Sequence, residues 1–145
     1  MARLPGVFGG HGSRNQALDR ILKQGFKVGE ISLGPNGRSR RDWISAWEVA
    51  EFIAHYEASP KTGVINLVRG ESIAIDDYVD IALGESARIR HIRSPSEVQP
   101  QALDLDFDAT RLRADFPMWS FARRERDLRR LAVELEEDAG RGASQ

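Results

Sequence analysis

Hydrophobic residues recur along the chain with a period that switches several times, and each switch predicts an element. Ala17, Leu18, Ile21 and Leu22 fall on one helical face and Gly25 is expected to stop the run, so the spacing predicts a helix over 13–24. Glu30-Ile31-Ser32-Leu33 and Arg41-Asp42-Trp43-Ile44 flank Gly34-Pro35-Asn36-Gly37, a pattern that predicts a β-hairpin. Trp47, Ala50, Phe52, Ile53 and Tyr56 mark a second amphipathic helix, closed at Ser59-Pro60 because proline cannot continue it. Val64-Ile65-Asn66-Leu67-Val68 reads as a buried strand whose one amide, Asn66, must find partners. Ile73 and Ile75 lead into Asp76-Asp77, expected to cap a short helix that carries Tyr78, Val79, Ile81, Ala82 and Leu83 up to Gly84. A further strand is expected over 87–92, a loop over 94–105 and a short helix over 108–114, broken at Phe116-Pro117. The last helix, over 121–137, keeps Leu128, Leu131, Ala132 and Leu135 on its inner side. Residues 2–9 read as a short strand entering a glycine-rich loop, and 138–145 as a disordered tail.

Strands alternating with helices place the chain in the α/β class, with an α+β-like character because the strands are short. Its 145 residues make one domain, expected over 1–137, large enough to remove roughly two thirds of the unfolded surface from water. The 21 basic and 22 acidic side chains nearly cancel, so net charge points to neither a nucleic-acid nor a membrane partner. With no cysteine there is no disulfide framework, thiolate zinc site or cysteine nucleophile, and His11, His55 and His91 share no metal-ligand spacing. No apolar run approaches the length of a membrane span and no signal peptide is legible, which makes the cytoplasm the expected location.

The densest chemistry lies over 38–53. Arg38, Arg40 and Arg41 stand between the turn and the apolar Trp43-Ile44, which sets at least one guanidinium at the mouth of a strand. A planar fork of donors suits a phosphate or a carboxylate; an exposed basic strand end accounts for the same residues without a ligand. Gly10-His11-Gly12-Ser13-Arg14-Asn15 approaches a dinucleotide fingerprint, with Asn15 where the third glycine belongs. It lacks both a full preceding strand and an acid at the end of a second one. It reads better as a glycine loop whose following helix start offers free amides to an anion, with His11 placed to touch a ligand. Acid/base machinery is not legible: Tyr56 is followed four residues later by Pro60, Tyr78 by Ala82, and no serine sits in a nucleophile context.

In order, these pieces resemble the C-terminal part of the extended short-chain dehydrogenase/reductases, the NAD-dependent epimerase/dehydratase family acting on nucleotide sugars. Arg3-Leu4-Pro5-Gly6-Val7-Phe8-Gly9 is similar to that family's strand and loop LR-x-x-N/G-x-Y-G-P, and Arg41-Asp42-Trp43-Ile44 with Glu48-Val49-Ala50 to its RD-aromatic-I/V-x-V-x-D-V-A segment. Gly63-Val64-Ile65-Asn66-Leu67, followed by Ser72-Ile73-Ala74-Ile75, resembles its G-x-x-Y-N-I-G-x-G strand and the helix start after it. Asp108-Ala109-Thr110-Arg111-Leu112 with Phe116-Pro117 resembles its closing D-x-S/T-K/R and LGF/W-x-P segment.

The resemblance implies a substrate-binding lobe with the last strands of a Rossmann sheet, a small hairpin and about five helices. Arg41 becomes the arginine that grips the nucleotide-sugar diphosphate, the Ile31-Ser32-Leu33 strand lies along the base or ribose, and Arg93 is a second arginine near the nucleotide. Gly6 stands where many members carry a substrate-contacting asparagine, Glu48 replaces an aspartate and Val68-Arg69 replaces a glycine. The family's cofactor loop, catalytic serine or threonine and Tyr-x-x-x-Lys pair lie upstream of the first matched element. The chain is therefore expected to bind no cofactor alone, NAD or NADP serving the complete enzyme, and to work with a separate Rossmann-half chain or as a homo-oligomer. The edge that would meet that sheet should show apolar surface and unpaired backbone groups. Such a portion is expected to be either encoded separately from its cofactor-binding half or left by truncation. The alternative is a non-enzymatic remnant or interaction module that binds no sugar nucleotide.

Overall fold

A computed structural model describes residues 1–10, 16–84, 88–97, 99 and 104–142. Among them are five α-helices and eight short strands arranged as four two-stranded sheets. Strand β1 (Ala2–Arg3) runs parallel to β6 (Ile65–Asn66), and β2 (Val7–Phe8) parallel to β5 (Ile44–Ser45). β3 (Glu30–Ser32) runs parallel to β8 (Arg90–Ile92), whereas β4 (Arg40–Arg41) is antiparallel to β7 (Ile73–Ala74). This is the mixed α/β lobe that the alternation implies.

Two apolar cores hold it together. The larger is built by α1 (Ala17–Val28), α3 (Ile75–Leu83) and α5 (Arg124–Gly142), whose Leu18, Leu22, Tyr78, Val79 and Leu128 are fully buried with Phe8. The smaller joins α2 (Ala46–Ala58) and α4 (Thr110–Asp115) to β5 and β6 through Ile44, Phe52, Ile65, Leu67, Leu112 and Phe116. Within it the rings of Phe52, Phe116 and Trp119 meet edge to face, which makes Trp119 a packing residue.

Four expectations need correction. Gly25 does not end α1 but is buried within it, because a Cβ there would run into the Ile31 side chain; the helix ends at Gly29, in the left-handed region at φ 79°. The expected start at 13–15 lies outside the described residues, and the helix begins after Gln16. No hairpin forms across Gly34–Arg38. That segment is a 3₁₀ turn with Pro35 in its first turn, and β3 and β4 leave it for different sheets. Asp76 and Asp77 lie inside the first turn of α3, whose cap position is Ala74. Finally, α5 continues past Glu137 to Gly142, supported by Arg141 pairing with Glu137 and Asp138 at helical spacing.

Candidate functional site

Arg41 sits on a strand whose backbone is held from three sides. β7 pairs with it, Ile75 N donates to Ser39 O (3.0 Å), and the buried Tyr78 hydroxyl accepts from Trp43 N (2.9 Å) while facing the Arg41 and Trp43 carbonyls at 3.2 and 3.3 Å. Burial raises the Tyr78 phenol above its ordinary pKa, so it serves as a neutral peg. Arg40 sends its guanidinium to Ser72 O on one face of the ladder. Arg41, the next residue, projects to the other face, is half-buried and donates to Arg40 O at 2.6 Å.

Directly behind it lies a buried charged clasp that sequence reasoning missed. Asp42 accepts from the amides of Arg69 (3.2 Å) and Gly70 (2.8 Å) and so fixes the loop after β6. Burial pushes the Asp42 carboxyl up, against those amides and the nearby guanidiniums of Arg69 and Arg124. Arg69, equally enclosed and held below its ordinary pKa by desolvation, donates to Glu48 (2.6 Å) and to Phe121 O (2.5 Å). Glu48 also closes a capping box with Ser45, whose hydroxyl bonds Asp127 at 2.5 Å. The Ser45-x-x-Glu48 spacing was the one legible signal of this clasp. Glu48 and Arg69, 21 residues apart in the chain, thus meet as a buried ion pair.

Ser32 and Arg93 come together elsewhere, at the C-terminal ends of the paired β3 and β8, where Ser32 is level with Ile92. Arg90 N donates to Gly29 O, so residues 29, 31 and 33 face β8 and the backbone groups of Ser32 point along the opposite edge. That edge borders a groove of about 340 Å³ between α1 and β3, with Ala17, Ile21 and Gln24 on one wall and Ile31, Ser32 and Leu33 on the other. The absence of a side chain at Gly25 lets helix and strand approach this closely.

Arg93 is committed to α3. Its guanidinium donates to Asp77 (2.7 Å) and to Asp80, and the Asp77 hydrogen bond above all holds its pKa above the ordinary arginine value. His91 lies between Asp80 (2.5 Å) and Asp76 (3.0 Å), and Asp76 also accepts from Ser94 N at 2.9 Å. Ser94 Oγ in turn donates to Gly34 O, so the 3₁₀ turn, the first turn of α3 and the end of β8 form one junction between Ser32 and Arg41.

His11 and Asn15 lie outside the described residues. The loop that leads to them opens with Gly9 and Gly10, at φ 76° and 85°. A Cβ at Gly9 would stand 2.5 Å from the Trp47 ring, and one at Gly6 would fall inside the Trp43 indole. Gly6 and Gly9 are therefore accounted for by close packing against two tryptophans, and the rest of the glycine-rich stretch, 11–15, lies outside the described residues. No helix among the described residues is long and apolar enough to cross a membrane.

Neither a protein-family model nor a curated protein matches the sequence. Solved structures do match. An NAD-dependent NDP-hexosamine 5,6-dehydratase involved in tunicamycin biosynthesis superimposes with a TM-score of 0.71 at 18% identity, over 94% of this chain and 45% of its own. RMD from Pseudomonas aeruginosa, complexed with NADPH, gives 0.73 at 12% identity over 94% and 47%. UDP-glucuronic acid 4-epimerase from Bacillus cereus, in complex with UDP-glucuronic acid and NAD, gives 0.67 at 16% over 94% and 44%. The chain spans less than half the length of each of these three. Its fold is that of the C-terminal portion of the extended short-chain dehydrogenase/reductase epimerases and dehydratases.

Proposed function

We propose that this chain is the nucleotide-sugar-binding portion of an NAD(P)-dependent sugar-nucleotide epimerase, dehydratase or reductase. The observation that carries the reading is the superposition of nearly the whole chain on one portion of enzymes of that kind, one of them holding a UDP-sugar and NAD. In this reading Ser32 and the groove beside it receive the base, through backbone groups on a strand edge and the apolar wall of α1. Arg41 offers its guanidinium fork to the pyrophosphate from a backbone that cannot shift. Arg93 contributes only if the phosphates displace Asp77 or Asp80.

Hydride and proton transfer belong to a cofactor-binding region that these 145 residues do not contain. Its place on this lobe is supported by the apolar groove of about 240 Å³ beside β1, where Met1, Leu4 and Ile53 are 71%, 49% and 53% exposed. Among the described residues β1 is paired on one side only, by β6, and Ala2 is exposed. Calorimetric titration of UDP-, GDP- and dTDP-sugars tests the reading. The wild type is expected to bind at least one of them. Arg41→Ala is expected to weaken that binding by about 1.5–3 kcal/mol, the worth of a charge-assisted hydrogen bond. Wild-type protein that binds none of the three at millimolar ligand sinks the assignment. The rival reading, an interaction module that binds no sugar nucleotide, draws its support from the closed ion pairs of Arg93, and that null titration is what it expects.

A further inference from the structure

The outward side of α5 divides by charge. Arg126, Arg129 and Arg130 precede Val133 there and Glu136 and Glu137 follow it, while the valine itself is 55% exposed. At about 3.6 residues per turn, Arg129 and Glu136 fall to one side of Val133, Arg130 and Glu137 to the other, and Arg126 and Gly140 lie close to its own line. Arg129, Val133 and Glu136 accordingly border one groove, of about 480 Å³, whose other walls are largely apolar: Phe26 at the end of α1 and Ala82 and Leu83 at the end of α3.

Within the chain these charges have neighbours: Arg129 pairs with Glu125 (2.6 Å), Arg130 with Glu134 (2.9 Å), Arg141 with Glu137 (3.7 Å) and Arg88 with Glu136. Such pairs support a solvated helix. They do not account for an exposed valine at the centre of the charges, beside an apolar groove, with both flanking arginines before it and both flanking glutamates after it.

Two-fold symmetry does. An axis crossing α5 at Val133, in the plane of contact, runs a second α5 antiparallel to the first, and residues to one side of the valine meet those to the same side in the other copy. Arg129 of each copy then comes level with Glu136 of the other, and Arg130 with Glu137, so every one of these contacts joins opposite charges. Arg126 passes over Gly140 of the other copy, an exposed position with no side chain to obstruct it. The two apolar grooves fall on the same side of the axis and face each other. A parallel pair would instead set arginine on arginine and glutamate on glutamate.

We propose that the partner of this face is a second copy of the chain, docked antiparallel along α5 with Val133 on the two-fold axis. The groove beside Ser32 and the one beside β1 are lined by other residues, so this face is distinct from both. One pair of helices buries less than a standard interface, and the dimer is therefore expected to form as concentration rises.

Sedimentation equilibrium from micromolar to millimolar protein tests it on wild type, Arg129→Glu/Arg130→Glu, Glu136→Arg/Glu137→Arg and Val133→Lys, each first verified by thermal melting. The wild type is expected to dimerise, and less tightly in molar salt. Each variant sets like charges against each other across the axis and is expected to weaken the dimer by roughly tenfold or more. An equimolar mixture of the two double variants restores every opposite pair and is expected to dimerise about as tightly as wild type. A wild type that stays monomeric throughout overturns the proposal. A dimer indifferent to all three variants belongs to another face, such as that beside β1, and overturns it too, as does a mixture no tighter than its components.

Discussion

Arg69 and Arg41 are the same residue type within one lobe, and their surroundings differ. Arg69 is enclosed, with a side chain only 7% exposed, and its donors go to Glu48 and the Phe121 carbonyl. Arg41 is half-buried; β7 and the Tyr78 hydroxyl hold its backbone, and its guanidinium donates to the Arg40 carbonyl. A charge inside the core is tolerated only while it stays paired, as Arg69 is with Glu48 even though its Nε finds no partner among the described residues, so it is structural by necessity. A charge at the rim costs little to desolvate partly and keeps its field available to an anion. The clasp behind Arg41 anchors its strand, and an anchored strand is what the phosphate-gripping role proposed for Arg41 requires.

The contrast breaks first at the clasp. Glu48→Ala strands a buried guanidinium and is expected to cost about 3–5 kcal/mol in urea unfolding, whereas replacing Glu48 and Arg69 together by methionine is expected to cost far less. Equal losses in the single and double variants would mean that the pair is not what the core depends on. At the rim, Arg41→Ala should show the reverse profile: a loss of sugar-nucleotide affinity of about 1.5–3 kcal/mol, with an unfolding midpoint much closer to wild type than that of Glu48→Ala. A collapse of stability instead would make Arg41 a second structural arginine.

Between the two lies Gly6. Gly6→Ala pushes a methyl into the Trp43 indole and is expected to destabilise by about 1–3 kcal/mol, with a change in tryptophan fluorescence. An alanine accepted without loss would show that Trp43 has room to move.

The smallest effect concerns Asp19, a buried carboxylate in α1 that accepts from Gly9 N at 3.2 Å. Desolvation raises its folded pKa above the unfolded value, so the folded state holds the proton longer and the wild type loses stability as pH rises from the ordinary carboxylate value through the raised one. Asparagine keeps an oxygen for the Gly9 amide without the charge. Asp19→Asn is therefore expected to be the more stable protein at pH 7, by about 1 kcal/mol or less, with the difference vanishing in acid. A difference that grows in acid would reverse the sign assigned to Asp19.

Helices were the legible part of this chain. Leu128, Leu131, Ala132 and Leu135 announce the inner face of α5, and Trp47, Phe52 and Tyr56 that of α2, because 3.6-residue periodicity is a property of neighbouring residues. The order of short motifs likewise pointed to the lobe whose fold the solved structures share. Strand partners were not legible. Two runs flanking Gly34–Arg38 have the composition of a hairpin, yet β3 went to β8 and β4 to β7. With two or three residues apiece, each strand has too few hydrogen bonds to choose a partner locally, and the choice fell to whichever pairing let α1, α3 and α5 close over their core. The same holds for the clasp, whose members Asp42, Glu48, Arg69 and Asp127 are scattered over 85 positions. Sequence by itself determined the helices, their faces and the residue types available to a ligand. Only the packed structure decided which arginine is buried and which stands at the rim, because burial is set by contacts between segments remote in the chain.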